Sequence, residues 1–281
     1  MAELAVVYET RLGSADRTDL EQEMLHVLRA MERSMTPPPA DDPVPNYLVP
    51  RQAAELDDKM PLDMGVLNGC MRNAMAVMEN GCAHRVVVAA PTAGSSGVIP
   101  ASVMGVGRTL GRTEGEILDA LWAAGLVGAF IANQATFGAE VAGCQAEIGA
   151  ASCMAAAGVV QLLGGTVEEG FHAAALAMQS LLGLICDPVA GLVEFPCIQR
   201  NVTASVMAAA AANMAMKGVR SPIPLDETIK AMLDVGRALP ASLRCTCEGG
   251  LCATPTGRQL ALQASHRNPE FSAPRRKASG T

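Results

Sequence analysis

The sequence predicts an all-α fold, an Ala/Gly-rich helical bundle with at most one short strand near 85–90. Half of the 281 residues are hydrophobic but only 3% are aromatic, so Ala, Met, Leu and Gly replace the residues that suit a pleated sheet. Apolar residues recur at helical spacing behind Thr/Glu pairs that signal helix starts. The central segments are apolar nearly all round, as helices in the middle of a bundle must be.

Thr18 to Met35 opens on Thr18 and Glu21 at capping-box spacing and places Leu20, Met24, Val27, Leu28 and Met31 on one helical face. Pro37, Pro38, Pro39, Pro43, Pro45 and Pro50 follow; they lack donors and fix φ, which predicts an extended connector over 36–50, free to move. A second helix is expected from Leu62 to Asn80. The β-branched run Arg85–Ala90, RVVVAA, reads as either a short buried strand or a helix lead-in. Pro91–Gly97, PTAGSSG, is a loop. Helices are then expected near 98–111, 114–133, 146–163, 167–184, 201–217 and 225–238, two of them announced by Thr113/Glu116 and Thr166/Glu169. The expected organisation is one helical domain over 1–264, with a polar, frayed tail over 265–281.

Charge and hydropathy exclude two classes of partner. Against 28 acidic residues stand 21 Lys and Arg, a net charge of −7 with a pI near 5.2. No basic stripe for nucleic acid exists. A mean hydropathy of +0.24 and the uncharged run Ala120–Ala139 raise the question of a membrane span. Asn133, Gln134 and Thr136 interrupt that run, and one Trp and two Tyr cannot build an interfacial belt. The start, MAELAVVYETRLG, lacks the basic and apolar regions of a signal peptide. Nine cysteines therefore read as thiols or metal ligands in a reducing, cytoplasmic setting.

Ionisable residues are scarce in the middle of the chain. Between Thr113 and Met216 the sole Lys or Arg is Arg200, and the acids across Ala120–Leu225 are Glu140, Glu147, Glu168, Glu169, Asp187 and Glu194. Glu168 and Glu169 suit the first turn of a helix, where the dipole favours negative charge. The other four lie within four residues of Cys144, Cys186 or Cys197. A charge in apolar sequence is costly unless paired or bound to metal. One polar site explains the clustering, with Glu147, Asp187 and Glu194 supporting the thiols. The cysteine spacing matches neither paired zinc ligands nor a ferredoxin run. It suits an iron–sulfur cluster held by three thiolates with one iron left open, a Lewis acid for a substrate hydroxyl; buried cysteines acting as small hydrophobes are the rival reading. PTAGSSG offers backbone N–H groups ahead of a helix, a cradle for a carboxylate or phosphate, though such a loop is more often only a turn, and it lacks the Lys of a phosphate loop. Four lysines without a phosphate cup argue against pyridoxal phosphate.

Four segments together carry a resemblance: APTAGSSGVIPA (Ala90–Ala101), GCQAEIGAASCMAAAG (Gly143–Gly158), GLICDPVAGLVEFPCIQRN (Gly183–Asn201) and GGLCATPTGRQL (Gly249–Leu260). Across roughly 18–262 the chain resembles the α chain of the iron–sulfur-dependent L-serine dehydratases. The resemblance implies a [4Fe–4S] cluster on Cys144, Cys186 and Cys197, and conversion of L-serine to pyruvate and ammonia without pyridoxal phosphate. It implies a substrate carboxylate held around Thr92, Ser95, Ser96 and Gly97, with Arg200 either binding that carboxylate or neutralising Glu194 or Asp187. The family's base is a His in a Ser-Ser-Ser-His-Thr segment of a companion β domain, which this sequence lacks, so a separate β chain is the implied partner. His172 suits a hydrogen-bonded core position. Two departures stand out. Glu140 lies four residues before Cys144, where the family has an acid at three, so no role is carried to it. Arg244-Cys245-Thr246-Cys247 replaces the family's Arg-Glu-Thr; Cys245, Cys247 and Cys252 are read as tolerated substitutions or as a spare redox or metal set, and Cys70, Cys82 and Cys153 as packing. Rival functions are an L-cysteine desulfidase of a related family, a non-catalytic cluster-binding subunit, and a redox carrier, the last disfavoured because carriers close all four positions.

Overall fold

The computed structural model describes residues 1–13, 16–56 and 60–267. Its elements in order are α1 (Ala2–Gly13), α2 (Arg17–Ser34), α3 (Val66–Cys82), a π-turn over Pro100–Met104 running into α4 (Gly105–Thr109), α5 (Glu114–Gln134) and α6 (Ala139–Ala142). They continue with α7 (Ile148–Leu162), α8 (Val167–Gln179), α9 (Cys197–Met216), α10 (Leu225–Ala238) and α11 (Pro255–Arg267). Among the described residues there is no strand. Residues 85–89 take no regular secondary structure, and one isolated parallel bridge joins Cys186 to Arg244. The β-branched run is therefore neither a ladder strand nor part of a helix.

The centre is α7. Every residue from Ile148 to Val160 is buried, because Ala, Gly and Cys let neighbours approach on all sides. Helices α5, α8 and α9 pack around it. At Gly158 a Cβ would lie 2.8 Å from Val103 and 2.9 Å from the Ala120 carbonyl. Ser152, buried on α7, donates to the Ala204 carbonyl of α9 at 3.0 Å. Helix α5 has the length and apolarity to cross a membrane, but 56% of its most apolar window is buried inside the protein. Its Trp122 and Leu126 cluster with Ala2, Ala5 and Val6 of α1.

Local signals fix several boundaries. Thr113 and Thr166 cap α5 and α8 in full capping boxes with Glu116 and Glu169. At α2 the cap is instead Asp16, which accepts from the Asp19 amide at 2.8 Å, so Thr18 lies inside the helix and Glu21 pairs with Arg17. Helix α8 stops at Gln179 instead of running to 184, and Gly183 turns the chain at φ +85°. Helix α9 begins at Cys197, four residues before the predicted start. Three helices fall outside the predicted set, α1, the one-turn α6 and, last, α11. The latter continues to Arg267, through the first three residues of the predicted tail; 268–281 lie outside the described residues.

The connector over 36–50 forms neither helix nor strand, but it bends repeatedly, with a turn at 40–41 closed by the Asp42 amide on the Pro39 carbonyl at 3.2 Å, and it is tied down. Asp42 accepts from the Val44 amide at 3.0 Å and from Arg85 Nε at 2.8 Å; the Arg85 hydrogen bond holds its carboxyl below the usual range. Arg51 reaches the Val44 carbonyl. Buried Glu79 of α3 accepts from the Gln52 and Ala53 amides at 2.6 and 3.0 Å.

A glycine also seats α10 against α6, just before Cys144: a Cβ on Gly236 would lie 2.5 Å from Ala142 Cα and 2.6 Å from its carbonyl oxygen. Gly236→Ala is expected to destabilise the protein by about 1–3 kcal/mol through overpacking. Gly125→Ala on exposed α5 surface, with nothing within 4 Å of a new Cβ, is expected to stabilise by about 0.5–1 kcal/mol. Urea unfolding midpoints at unchanged slope read both.

Candidate active site

Two turns and one helix start bring the cysteines together. Gly143 adopts φ +73°, where a Cβ would meet the Leu184 carbonyl at 2.9 Å and Leu239 at 2.8 Å, so only glycine lets the Cys144 turn sit against the 183–187 segment. Buried Gln145 fastens the two: its amide and side-chain oxygen bond the Leu184 carbonyl at 3.1 Å and the Gly183 amide at 2.8 Å, and its Nε2 donates to the Ala142 and Met232 carbonyls. Cys186 is held in turn by the 243–245 segment, its amide donating to the Leu243 carbonyl at 2.9 Å and its carbonyl accepting from the Cys245 amide at 2.7 Å. Cys197 stands in the first turn of α9, where the helix dipole favours negative charge.

Cys144, Cys186 and Glu147 offer ligand atoms within 4.8 Å of one another. Cys144, Cys186 and Cys197 are 2%, 4% and 7% exposed. Contact with the Cys144 and Cys245 thiols, then burial, pushes the Cys186 thiol far up, while burial first and Cys144 second raise Cys197. Such a set cannot ionise together in isolation. A metal centre reverses this, since a coordinating thiol gives up its proton outright, so the donor set fits a thiolate-bound metal group. Glu147 is raised by burial, partly offset by the nearby Thr92 hydroxyl, and a Cβ on Gly94 would lie 3.3 Å from both its oxygens. The PTAGSSG loop and the thiols thus meet at Glu147.

The remaining predicted residues divide. Thr92 and Ser95 close a capping box around the short turn Ala93–Ser95, their hydroxyls 3.0 Å apart. Ser96 is buried with its hydroxyl on Met78 Sδ at 3.5 Å, and the Gly97 amide donates to Asn201 Oδ1 at 3.0 Å. Both therefore face the core, because a Cβ on Gly97 would already lie 2.8 Å from the Ala74 carbonyl of α3. Arg200 binds Asp187 at 2.8 Å and the Ile185 carbonyl at 3.0 Å; it neutralises the buried acid, and these bonds give it a structural place. Asp187 also accepts from the Leu251 amide at 2.7 Å. Glu194 lies outside the thiol group. Its oxygens accept from the Tyr47, Leu48 and Val49 amides at 2.8, 2.8 and 3.2 Å, fastening the connector. Glu140 is exposed. His172 has the hydrogen-bonded place expected of it, its Nδ1 accepting from the Ser221 amide at 3.2 Å.

Two residues of the site escaped sequence reasoning. Asn201, fully buried, donates to the Gly94 carbonyl at 2.8 Å and the Cys197 carbonyl at 2.9 Å while accepting from Gly97. It clamps loop, cysteine and helix, and its signal was an amide residue four positions after Cys197 in an Ala-rich helix. Cys245 touches Cys186, which the Arg244–Cys247 departure did not reveal.

Asp187→Ala would leave Arg200 buried and unpaired; the expected loss is about 3–5 kcal/mol, with Asp187→Ala/Arg200→Leu recovering part of it in a double-mutant cycle. Glu194→Ala removes the acceptor of three connector amides, so chymotrypsin is expected to cleave after Tyr47 much faster than in the parent, read by mass of the fragments.

A family model described as serine dehydratase alpha chain matches residues 1–252. Over 270 residues the chain is 38% identical to the probable L-serine dehydratase, alpha chain, of Bacillus subtilis (strain 168), covering 92% of this chain and 88% of that protein. It is 45% identical over 193 residues to the corresponding protein of Latilactobacillus sakei, covering 69% and 92%. With L-serine dehydratase 1 of Escherichia coli (strain K12) the identity is 38% over 258 residues, covering 86% of this chain but 56% of that one.

Proposed function

Because the chain belongs to the serine dehydratase alpha chain family of lyases, we propose that it is the cluster-bearing catalytic subunit of an enzyme converting L-serine to pyruvate and ammonia. The observation that carries this is the meeting of Cys144, Cys186 and Glu147 within 4.8 Å, with the buried thiol of Cys197 nearby at the start of α9. Cys144, Cys186 and Cys197 would hold a [4Fe–4S] cluster. When bound, it supplies an iron without a protein ligand, a Lewis acid for the departing hydroxyl.

The chain's own residues prepare that chemistry. Thr92 and Ser95 form the edge of the loop that would receive the substrate carboxylate, and their mutual hydrogen bonds fix that edge beside Glu147. Asn201 keeps the loop at a set distance from Cys197. Arg200 holds Asp187, and with it the turn carrying Cys186. Glu194 seals the connector down beside Cys82. Removal of the α-proton is assigned to a base on a separate β chain. In support, the chain spans 56% of the length of the E. coli relative, which leaves room there for a further domain. Loss of water gives aminoacrylate, which tautomerises and hydrolyses to pyruvate and ammonia. The reading places the enzyme in the cytoplasm, where its thiols stay reduced.

Anaerobic reconstitution with iron and sulfide tests this. About four irons per chain are expected, with a broad sulfur-to-iron absorption band, and addition of a β chain and L-serine yields pyruvate. Cys144→Ala, Cys186→Ala and Cys197→Ala each lose both the band and the activity while keeping the helical circular dichroism. Sulfide from L-cysteine without pyruvate from L-serine would replace this reading with a desulfidase. A bound cluster without turnover in the presence of the partner would replace it with a silent subunit.

A further inference from the structure

The mechanism leaves Cys247 and Cys252 unused, although the fold brings them together. The two thiols share one acceptor: Cys247 Sγ lies 3.4 Å and Cys252 Sγ 2.9 Å from the Pro188 carbonyl oxygen. Cys252 also reaches the Asp187 carbonyl at 3.2 Å. Gly250, at φ +60°, lies between them in sequence, where a Cβ would strike the Asp187 carboxylate at 2.3 Å. That close approach folds the 247–252 loop back on the 187–188 segment and sets the pair. Cys252 is 7% exposed, while half-buried Cys247 shares with it a cavity of about 370 Å³ that Arg258 also lines. The Arg258 guanidinium gives this cavity a positive charge that attracts anionic reagents.

We propose that Cys247 and Cys252 form a redox-active dithiol that closes to a disulfide by exchange with a small anionic disulfide entering this cavity. The Cys247 thiolate attacks one sulfur of the small disulfide, forming a mixed disulfide and releasing one small thiol. Cys252 then attacks the Cys247 sulfur, breaking the mixed bond and releasing the second small thiol. Two protein thiols are oxidised, one small disulfide is reduced to two thiols, and the two protons leave on those thiols. Closure withdraws both S–H donors from the Asp187 and Pro188 carbonyls, immediately after Cys186. The state of the pair is thereby linked to the turn that carries a site thiol. The exchange itself is independent of the serine chemistry proposed above and holds with or without a cluster bound.

The sequence supplies a direct assay, because cleavage after Arg244 and Arg258 releases Cys245, Cys247 and Cys252 in one peptide with no other cysteine. The full chain, with and without reconstituted cluster, is equilibrated anaerobically in oxidised glutathione, quenched in acid, alkylated, digested with trypsin and read by fragment-ion mass spectrometry. The expected peptide carries one alkyl group, on Cys245, with two thiols lost to an internal bond; dithiothreitol restores three alkyl groups. In Cys247→Ser the paired loss disappears, and Cys252→Ser retains glutathione on Cys247. Three alkyl groups after oxidised glutathione, or a bond from Cys245 to either partner, would overturn the proposal.

Discussion

The ion pair between Arg200 and Asp187 is the interaction on which the site depends. It joins α9 to the Cys186 turn at 2.8 Å, and the same carboxylate takes the Leu251 amide at 2.7 Å, so one buried acid ties three segments distant in sequence. Arg200 is the sole Lys or Arg between Thr113 and Met216, so no neighbouring cation in that stretch can replace it. Buried pairs of this kind contribute modest net stability but fix geometry, since either charge alone would be costly. Here what they fix is the distance between the thiol at the head of α9 and the thiol beside Asp187.

Packing supplies the second constraint. Glycine and alanine on α7 allow the surrounding helices to close in, and Gly143, Gly97 and Gly236 let backbone press on backbone. A core made of small residues has little capacity to absorb added volume. That rigidity suits a site whose polar groups must stay within a few ångströms of one another while surrounded by apolar surface. Asn201 and Gln145 extend the same logic with hydrogen bonds, each satisfying several backbone groups at once.

Much of this was legible in the sequence because it is local. Thr113 and Thr166 cap the helices they announce, and Asp16 displaced Thr18 only because two good caps compete within three residues. The Cys186–Asp187 and Arg200 assignments followed from scarcity of charge. What could not be read depends on partners far along the chain. Glu194 finds the amides that donate to it about 146 residues away in the connector, and Asn201 meets Gly97 across 104 residues. The loop residues Ser96 and Gly97 carry the types suited to holding an anion, yet tertiary packing against α3 claims them first. Helices α1 and α11 have weak patterns of their own and draw their stability from α5 and the Val189–Gly191 turn.

The central claim is that three thiolates of this chain hold a cluster with one iron open to L-serine. Mössbauer spectroscopy of the reconstituted chain assembled with its β chain, recorded before and after anaerobic addition of L-serine, tests it most directly. The account expects one iron site to change its parameters on addition of substrate while the other three keep theirs. A spectrum in which no site responds, or in which all respond alike, would contradict it.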